Sequence, residues 1–399
     1  MHIALLSPSW PLKSAHNGIV TYVHWMKQQL ESTGHEVSVF ASKIDTDVFD
    51  SHVYEISSPR LRARLYRAFF RRETGPRQVF NVGMNIADSM NKVHRRDPID
   101  VIEMEESYGW FADVGRITKI PVVVKLHGPA FMSMVGSELN TAFAREKIER
   151  EGAALALANA IVAPSVDTLT RTIAKYKLTP RMARQINNPL MLEQGTPIWQ
   201  LGKCEPHTVL FVGRFDLRKG ADVVLGAFAL LARKRTNLRL IFVGPDIGIP
   251  DRSGHLVGFR SYCAANLDAD VAGRIDYRGR MSNQEICELR TKAMVTVVAS
   301  RWESQGYTAL EAMLQGCPIV CSDAGALPES VVDGSTGLLA ASESPEMFAQ
   351  QIGALLDDPV AAANLGRRAR LYVETAHSPQ VVARDSLALY TKVVETNRR

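Results

Sequence analysis

AMVTVVASRWESQGYTALEAML, residues 293–314, contains a strand pattern, a loop and a helix pattern in direct succession. The apolar run from Ala293 to Ser300 predicts a strand that is covered on both faces. Gly306 opens the helix pattern, whose apolar positions are Ala309, Leu310, Ala312, Met313 and Leu314. A strand that passes through a loop into a helix is the repeating unit of parallel α/β sheets.

Two glutamates in this stretch lie eight positions apart, one before the helix and one within it. Eight residues cover slightly more than two helical turns, from Glu303 to Glu311. The first-turn amides at Gly306, Tyr307 and Thr308 point towards the loop and can bind an anion. Carboxylates around such amides suit a polyhydroxylated ligand with a central phosphate, such as a nucleotide sugar. An isolated pair of glutamates, in contrast, is more often a solvated helix face.

A second loop of the same kind lies upstream, in FVGRFDLRKG, residues 211–220. It places Arg214 and Lys219 at the carboxyl end of a strand, ahead of the helix pattern ADVVLGAFALLARK. Open α/β sheets bind their ligands at such ends. Downstream, residues 315–339 add another strand and two glycine turns.

The order and spacing of these three blocks resemble family 4 of the retaining glycosyltransferases, which have the architecture called GT-B. The resemblance is strongest over residues 209–339. It implies an α/β fold with two Rossmann-like domains, whose parallel sheets face a central cleft. It also implies that Arg214 and Lys219 hold the donor diphosphate, that Glu303 binds hydroxyls of the transferred sugar and that Glu311 binds the ribose.

Two departures from the family pattern lie beside the expected sugar pocket. Gln305 stands where an apolar or aromatic residue is usual, and Ala299-Ser300 replaces the usual Pro-Ser. In the family, the loop at Arg280 and Met281 holds the nucleotide base through backbone groups.

Strand and helix patterns alternate along the whole chain, which predicts parallel sheets with crossover helices. Residues 1–190 form the first predicted domain and residues 207–378 the second. Residues 191–206 are rich in Pro and Gly without periodicity and are predicted to be the linker. The chain ends in a helix pattern within 379–399, which in the family crosses back onto the first domain.

Candidate residues of the first domain follow its strands. Asn17 and Gly18, in the loop after the first strand, can bring amides close to a phosphate or sugar, or form a plain turn. His127 follows PVVVKL, and the sequence LHGP resembles the histidine loop that positions substrate near the anomeric carbon in the family. Glu103, Glu105 and Glu106 follow DVI and could orient acceptor hydroxyls or act on a proton, although solvated glutamates are the default interpretation.

Neither a metal nor a cofactor is predicted. The acid pairs Asp45/Asp47 and Asp268/Asp270 do not follow apolar strands, as the pair of a metal-dependent transferase would. The five cysteines lack metal-ligand spacing and indicate reduced, mostly buried thiols.

The composition is that of an ordinary globular protein, with 46% apolar and 22% charged residues among 399. The net charge of +5 comes without a nucleic-acid recognition motif, so no nucleic-acid partner is expected. No apolar run is long enough to span a membrane, and the N-terminus is typical of a first strand rather than a signal peptide. The cytoplasm is the expected compartment.

One segment concentrates positive charge: residues 57–73, SSPRLRARLYRAFFRRE, contain six arginines and one glutamate. Leucine and phenylalanine recur there at four-residue spacing, which predicts an amphipathic helix. Such a helix can lie on an anionic membrane, here through residues 58–72, or pack on its own domain. The two interpretations have equal weight.

The preferred function is a retaining hexosyltransferase that moves a sugar from a nucleoside-diphosphate sugar to a saccharide or lipid-linked acceptor. Its candidate catalytic residues are Arg214, Lys219, Glu303 and His127. A phosphorylase or a sugar-nucleotide epimerase on the same architecture is an alternative enzyme. A nucleotide-sugar-binding or membrane-docking module without turnover is the non-enzymatic alternative, which the presence of both basic residues and both glutamates argues against.

Overall fold

The computed structural model divides the chain into two compact units, Met1–Pro189 with Ser378–Arg399, and Leu190–His377. It describes residues 1–12, 17–45, 50–56, 76–134, 139 and 141–398, with side chains from residue 82 onward in the helix that begins at Pro76.

The first unit contains a parallel sheet in the order β3-β2-β1-β4-β5-β6-β7. Because the strands diverge on either side of β1 and β4, the carboxyl ends of these two strands lie at a switch point. The strands are β1 His2–Ser7, β2 Glu36–Ala41, β3 Val53–Glu55, β4 Val101–Glu105, β5 Val122–Lys125, β6 Ala160–Ala163 and β7 Ala183–Gln185.

Helices cover this sheet, and the last helix of the chain is one of them. Asn17 caps the first helix by accepting a hydrogen bond from the Ile19 amide, and Gly34 follows its end with a φ of +83°. The helices are α1 Gly18–Ser32, α2 Pro76–His94, α3 Trp110–Thr118, α4 Ala130–Ser133, α5 Ala142–Leu155, α6 Val166–Tyr176 and α15 Pro379–Asn397. Tyr390 of α15 is fully buried in the same core cluster as Tyr22 of α1.

The second unit contains a parallel sheet in the order β12-β9-β8-β13-β14-β15. An antiparallel pair, β10 with β11, follows β9. The strands are β8 Glu205–Val212, β9 Arg239–Val243, β10 Ile249–Pro250, β11 Leu256–Val257, β12 Ile275–Gly279, β13 Ala293–Val298, β14 Ile319–Ser322 and β15 Leu338–Ala340.

The helices of the second unit pack an apolar core around β8 and β13. They are α7 Ala221–Ala232, α8 Phe259–Asn266, α9 Ala269–Ala272, α10 Asn283–Lys292, α11 Tyr307–Leu314, α12 Leu327–Ser330, α13 Pro345–Asp357 and α14 Pro359–Ala376. The prediction of two α/β domains with parallel sheets is confirmed.

Residues 191–206, predicted to be a linker, lie within the second unit. Trp199 is buried, and its indole Nε1 donates to the carbonyl of Ala293 at 2.8 Å. The segment is therefore packed against β13, and its last two residues already belong to β8. The sequence pattern did not predict this packing, because a single large aromatic residue anchors the segment and no periodic apolar pattern marks it.

Within the described part of the chain, no helix combines the length and the apolar character that crossing a membrane requires. The basic segment 57–73 lies outside the described residues. Its proposed contact with a membrane stays a prediction.

Candidate functional site

The loops that follow β8 and β13 lie next to each other at the carboxyl edge of the second sheet. β8 and β13 are neighbours, and the later strands continue outward on both sides of them. This is the switch point of the sheet, where the diverging loops leave a crevice that open α/β proteins use for ligands.

An ion pair joins the two loops. The Lys219 Nζ donates to Oε1 of Glu303, which also accepts a hydrogen bond from the Ser300 hydroxyl at 2.7 Å. Burial alone would raise the pKa of Glu303, but the charges of Lys219 and Arg218 and these hydrogen bonds lower it below its ordinary value. Glu303 is therefore held as a carboxylate at neutral pH.

Gly220 makes this close approach of the loops possible. Its φ is +67°, and a Cβ added to it would lie 1.9 Å from the carbonyl oxygen of Ala299. Only glycine fits such a position. The end of the basic loop is thus pressed against the beginning of the loop that carries Glu303.

Asp216 organises the basic loop from within. One carboxylate oxygen accepts the Lys219 amide at 2.8 Å, and the other pairs with Arg214 Nη2 at 2.6 Å. The Arg214 side chain nevertheless remains 44% exposed. The two basic residues predicted to hold a diphosphate are therefore fixed by one aspartate, and Arg214 still faces solvent.

Arg301 is a structural residue of the site that sequence reasoning missed. Its guanidinium forms two hydrogen bonds with Asp222, at 2.8 and 2.9 Å, and also donates to the carbonyl of Leu217. Its amide donates to the Arg218 carbonyl at 2.9 Å. Only its position two residues before Glu303 could have indicated this role from the sequence, because its bonding partners lie far away along the chain.

The helix α11 begins at the far side of the same loop. Gly306 precedes it with a φ of +81°, and no side chain among the described residues caps it. The loop is braced by the Ala326 amide, which donates to the Glu303 carbonyl at 3.0 Å. Tyr307 and Thr308, both partly buried, form the first turn, whose N-terminal dipole favours an anion.

Glu311 lies within α11 and pairs with a buried arginine. Arg290 Nη2 contacts Glu311 Oε2 at 2.6 Å, and the arginine side chain is only 3% exposed. Gln315 adds a contact of 3.4 Å to Arg290 and donates to the carbonyls of Pro197 and Cys287. Arg290 therefore orients Glu311, and the segment around Pro197 is tied to the same network.

Arg280 and Met281 follow β12, which lies two strands away from β8 at the same edge of the sheet. Arg280 is exposed, whereas Met281 packs beside the small apolar cluster that contains Leu210. In the second unit, the basic loop, the carboxylate loop and this loop thus share one edge. The positive charge and the start of α11 at this edge can bind an anion. The two carboxylates can accept hydrogen bonds from hydroxyl groups on either side of that anion.

Glu103, predicted to contact an acceptor, is buried at the switch point of the first sheet. Its two carboxylate oxygens accept hydrogen bonds of 2.6 Å from the hydroxyls of Tyr22 and Tyr390. Glu103 thus ties α15 to β4, and both of its carboxylate oxygens have partners within the core. The distant Tyr390 gave no signal of this in the sequence. The predicted contact of Glu103 with an acceptor stays a prediction.

His127 lies at the carboxyl end of β5 and packs edge-on against Tyr22, with 5.1 Å between ring centroids. Burial and the nearby Lys125 lower the pKa of His127 to about 3. Lys125 is itself buried and donates to the Ile186 carbonyl at 2.7 Å. His127 is therefore a neutral imidazole near pH 7, able to exchange hydrogen bonds but not to act as a cation.

The other first-unit candidates lie at the same edge. Burial and the neighbouring Glu106 raise the pKa of Glu105 to about 7, and its carboxylate accepts the Ser107 hydroxyl at 3.0 Å. Asn17 is engaged as the cap of α1, and Gly18 is exposed at the start of that helix. The loop residues 13–16 lie outside the described residues.

The acid pairs set aside as metal sites have protein partners where they are described. Asp268 pairs with Arg233 at 3.3 Å and Asp270 with Arg274 at 3.1 Å. Asp47 of the other pair lies outside the described residues.

Sequence models of two glycosyltransferase families match consecutive parts of the chain. The model described as "Glycosyltransferase Family 4" matches residues 16–194, and "Glycosyl transferases group 1" matches residues 198–372. A D-inositol 3-phosphate glycosyltransferase of Streptomyces avermitilis is 32% identical over 192 residues, which cover 48% of this chain and 40% of that protein. The chain thus spans about two fifths of the length of this relative.

Solved structures share the fold over nearly the whole chain. Sucrose-phosphate synthase from Thermosynechococcus elongatus superposes with a TM-score of 0.74 at 20% identity and covers 99% of both chains. Anabaena Alr3699/HepE in complex with UDP-glucose gives a TM-score of 0.67 at 16% identity, covering 98% of this chain and 100% of the other. At these identities the likeness establishes the fold.

Proposed function

We infer that this chain, which belongs to family 4 of the glycosyltransferases and has their GT-B fold, transfers a sugar from a nucleoside-diphosphate sugar with retention of the anomeric configuration. The observation that supports this most strongly is the ion pair between Lys219 and Glu303 at the switch point of the second sheet. In this pair, a cation that could bind a phosphate contacts a carboxylate that could accept hydrogen bonds from sugar hydroxyls.

The leaving group would be a nucleoside diphosphate, which gains negative charge as the bond from the anomeric carbon to the phosphate oxygen breaks. Lys219, Arg214 and the N-terminus of α11 supply positive charge on one edge of the sheet. Preorganised groups of this kind stabilise charge that develops in a transition state. They take the place of a divalent cation, so the proposed reaction needs neither a metal nor a cofactor.

The remaining donor contacts follow from the carboxylates. Glu303 is ionised and accepts hydrogen bonds, as hydroxyls of a transferred sugar require. Glu311, oriented by Arg290, would accept from the ribose hydroxyls. The loop at Arg280 and Met281 would border the base.

His127 would contact the transferred sugar near the anomeric carbon as a neutral hydrogen-bonding group. Its low pKa supports this role, because a cationic imidazole would repel the positive charge that develops on the sugar ring. Glu105, with a pKa near 7, is the remaining first-unit carboxylate that could meet an acceptor hydroxyl.

The proposed acceptor is a saccharide or a lipid-linked saccharide, in polysaccharide or glycolipid synthesis. Support comes from the relatives named for transfer to D-inositol 3-phosphate, a polyhydroxylated acceptor. The UDP-glucose bound in a structural neighbour supports a hexose donor. A membrane role for residues 58–72 would favour the lipid-linked form.

A thermal-shift panel of nucleoside diphosphates and nucleotide sugars tests donor binding. A ligand that binds only the folded chain adds about 2.7 kcal/mol of stability at about a hundred times its Kd. We expect at least one nucleotide to raise Tm, and Lys219→Ala to abolish the shift. Lys234→Ala, which removes an exposed lysine at the end of α7, is the matched control and should preserve it. Absence of a shift with every nucleotide would contradict the proposed donor site.

A further inference from the structure

Two buried carboxylates lie beneath the loop that begins with His127. Glu106 follows β4 and is 2% exposed, while Glu151 belongs to α5 and is 1% exposed. Ionisable side chains are rarely so deeply buried unless a specific set of partners holds them.

Glu106 binds the backbone on both sides of the His127 Cα. One carboxylate oxygen accepts the His127 amide at 2.9 Å, and the other accepts the Gly128 amide at 2.6 Å. A carboxylate that receives two amides fixes two successive peptide planes. The direction of the His127 side chain therefore depends on Glu106.

Glu151 joins this loop to the turn that follows β4. One oxygen accepts the Ala130 amide at 2.9 Å, and the other accepts the Tyr108 amide at 3.3 Å. Tyr108 has a φ of +54°, a strained value for a residue other than glycine. Arg150 holds it further by donating to its carbonyl at 2.7 Å. Strain held in place by several contacts is a common feature of functional sites.

Burying two neighbouring carboxylates reduces the stability of the fold when both are ionised. Burial raises the pKa of Glu106, and burial together with the charge of Glu106 raises the pKa of Glu151 to about 7. The amide donors and Lys147, which lies 3.9 Å from Glu151, act in the opposite direction. An ordinary turn after a parallel strand needs no buried carboxylate. The two residues therefore stabilise one particular backbone conformation.

We propose that Glu106 and Glu151 are positioning residues, which hold the backbone of residues 127–130 so that the His127 ring faces the transferred sugar. This role rests on the proposed function, in which His127 contacts that sugar. Neither residue touches substrate. Both act through the amides of the loop.

The test compares Glu106→Gln and Glu151→Gln with the wild-type chain. Glutamine keeps the shape, but its amide nitrogen cannot accept one of the two backbone hydrogens. We expect hydrogen exchange at the backbone amides of His127, Gly128 and Ala130 to rise about tenfold or more, in line with the loss of a charge-assisted hydrogen bond. The kcat should fall roughly 100-fold, the scale of a misplaced group, while nucleotide affinity is unchanged.

Glu149→Gln is the matched control, since it makes the same chemical change at an exposed position of the same helix. It should leave both exchange and kcat unaltered. Glu106→Asp and Glu151→Asp, which keep the charge, guard against loss of folding and should lie between wild type and the glutamine variants. Thermal unfolding shows whether each variant folds.

Unchanged exchange at residues 127–130 would overturn the contacts, and raised exchange with unchanged kcat would overturn the positioning role. A wild-type chain that is inactive with every nucleotide sugar would contradict the proposed function, and the positioning role with it. An active wild type with equally active glutamine variants would contradict the positioning role alone.

Discussion

Lys219 and Glu303 form an ion pair although 84 positions separate them in the sequence. The pair exists because β8 and β13 are adjacent in the sheet and because Gly220 allows their loops to touch. Without ligand, each residue neutralises the other. With a nucleotide sugar, the lysine would turn to phosphate and the glutamate to sugar hydroxyls.

Arg214→Ala should reduce kcat roughly 100- to 1,000-fold, the scale of losing one preorganised charge-stabilising donor. The fold should persist because the Arg214 side chain is substantially exposed. Steady-state kinetics and thermal unfolding measure the two effects. Arg233→Ala, which removes an exposed arginine of the same unit, should change neither. A folded Arg214→Ala chain with wild-type kinetics would refute the diphosphate contact.

Gly220→Ala should destabilise the chain far more than Gly195→Ala. Both glycines have positive φ, but a Cβ meets the Ala299 oxygen at 1.9 Å in the first case and nothing within 4 Å in the second. Gly195→Ala should therefore cost only about 1–2 kcal/mol, from the backbone conformation alone. Gly220→Ala should exceed about 3 kcal/mol in denaturant unfolding, because the two loops must separate. Equal losses of stability in the two variants would show that Gly220 does not lie in tight contact with the Ala299 carbonyl.

The stability conferred by Glu151 should depend on pH in a defined direction. Its folded pKa of about 7 lies above the ordinary value of 4.5, so the folded chain binds a proton that the unfolded chain releases. Lowering the pH from about 8 to about 5 should raise the free energy of unfolding of the wild type by roughly 2–3 kcal/mol relative to Glu151→Gln.

The charged and titratable groups around Glu151 are Glu106, Lys147 and Tyr176, and burial also raises the pKa of Glu106. Glu149→Gln controls for the loss of a carboxylate and should follow the wild-type curve. If the free energy of unfolding of the wild type and of Glu151→Gln changed with pH in parallel, the raised pKa of Glu151 would be refuted.

Transfer should continue in excess chelator, because Arg214, Lys219 and the start of α11 are proposed to stabilise the leaving diphosphate. Rates measured before and after dialysis against a chelator test this. Loss of activity that magnesium or manganese restores would place a metal ion in the reaction and contradict the proposed charge stabilisation.

The strands with continuous apolar runs could be predicted from sequence, and so could the loops that follow them. β3 and β7 carry no such signal, since each is a three-residue edge strand without an apolar run. In the candidate site, the motifs predicted Arg214, Lys219, Glu303 and Glu311, whose roles in donor binding stay predictions.

Their partners were not predictable from the sequence. Asp222 lies 79 positions from Arg301, and Tyr390 lies 287 positions from Glu103. Such pairs depend on which strands become neighbours, which local patterns do not specify. The packing of Trp199 could not be predicted for the same reason, because its partner Ala293 lies 94 positions away in the sequence.

The most direct test of the central claim follows a panel of nucleoside-diphosphate sugars by ¹H NMR, with the chain and simple saccharide acceptors. The account predicts that at least one α-linked donor is consumed, that the sugar first appears in α configuration, and that Glu303→Gln removes this reaction. A product that first appears in β configuration, or a panel in which no donor is consumed, would contradict it.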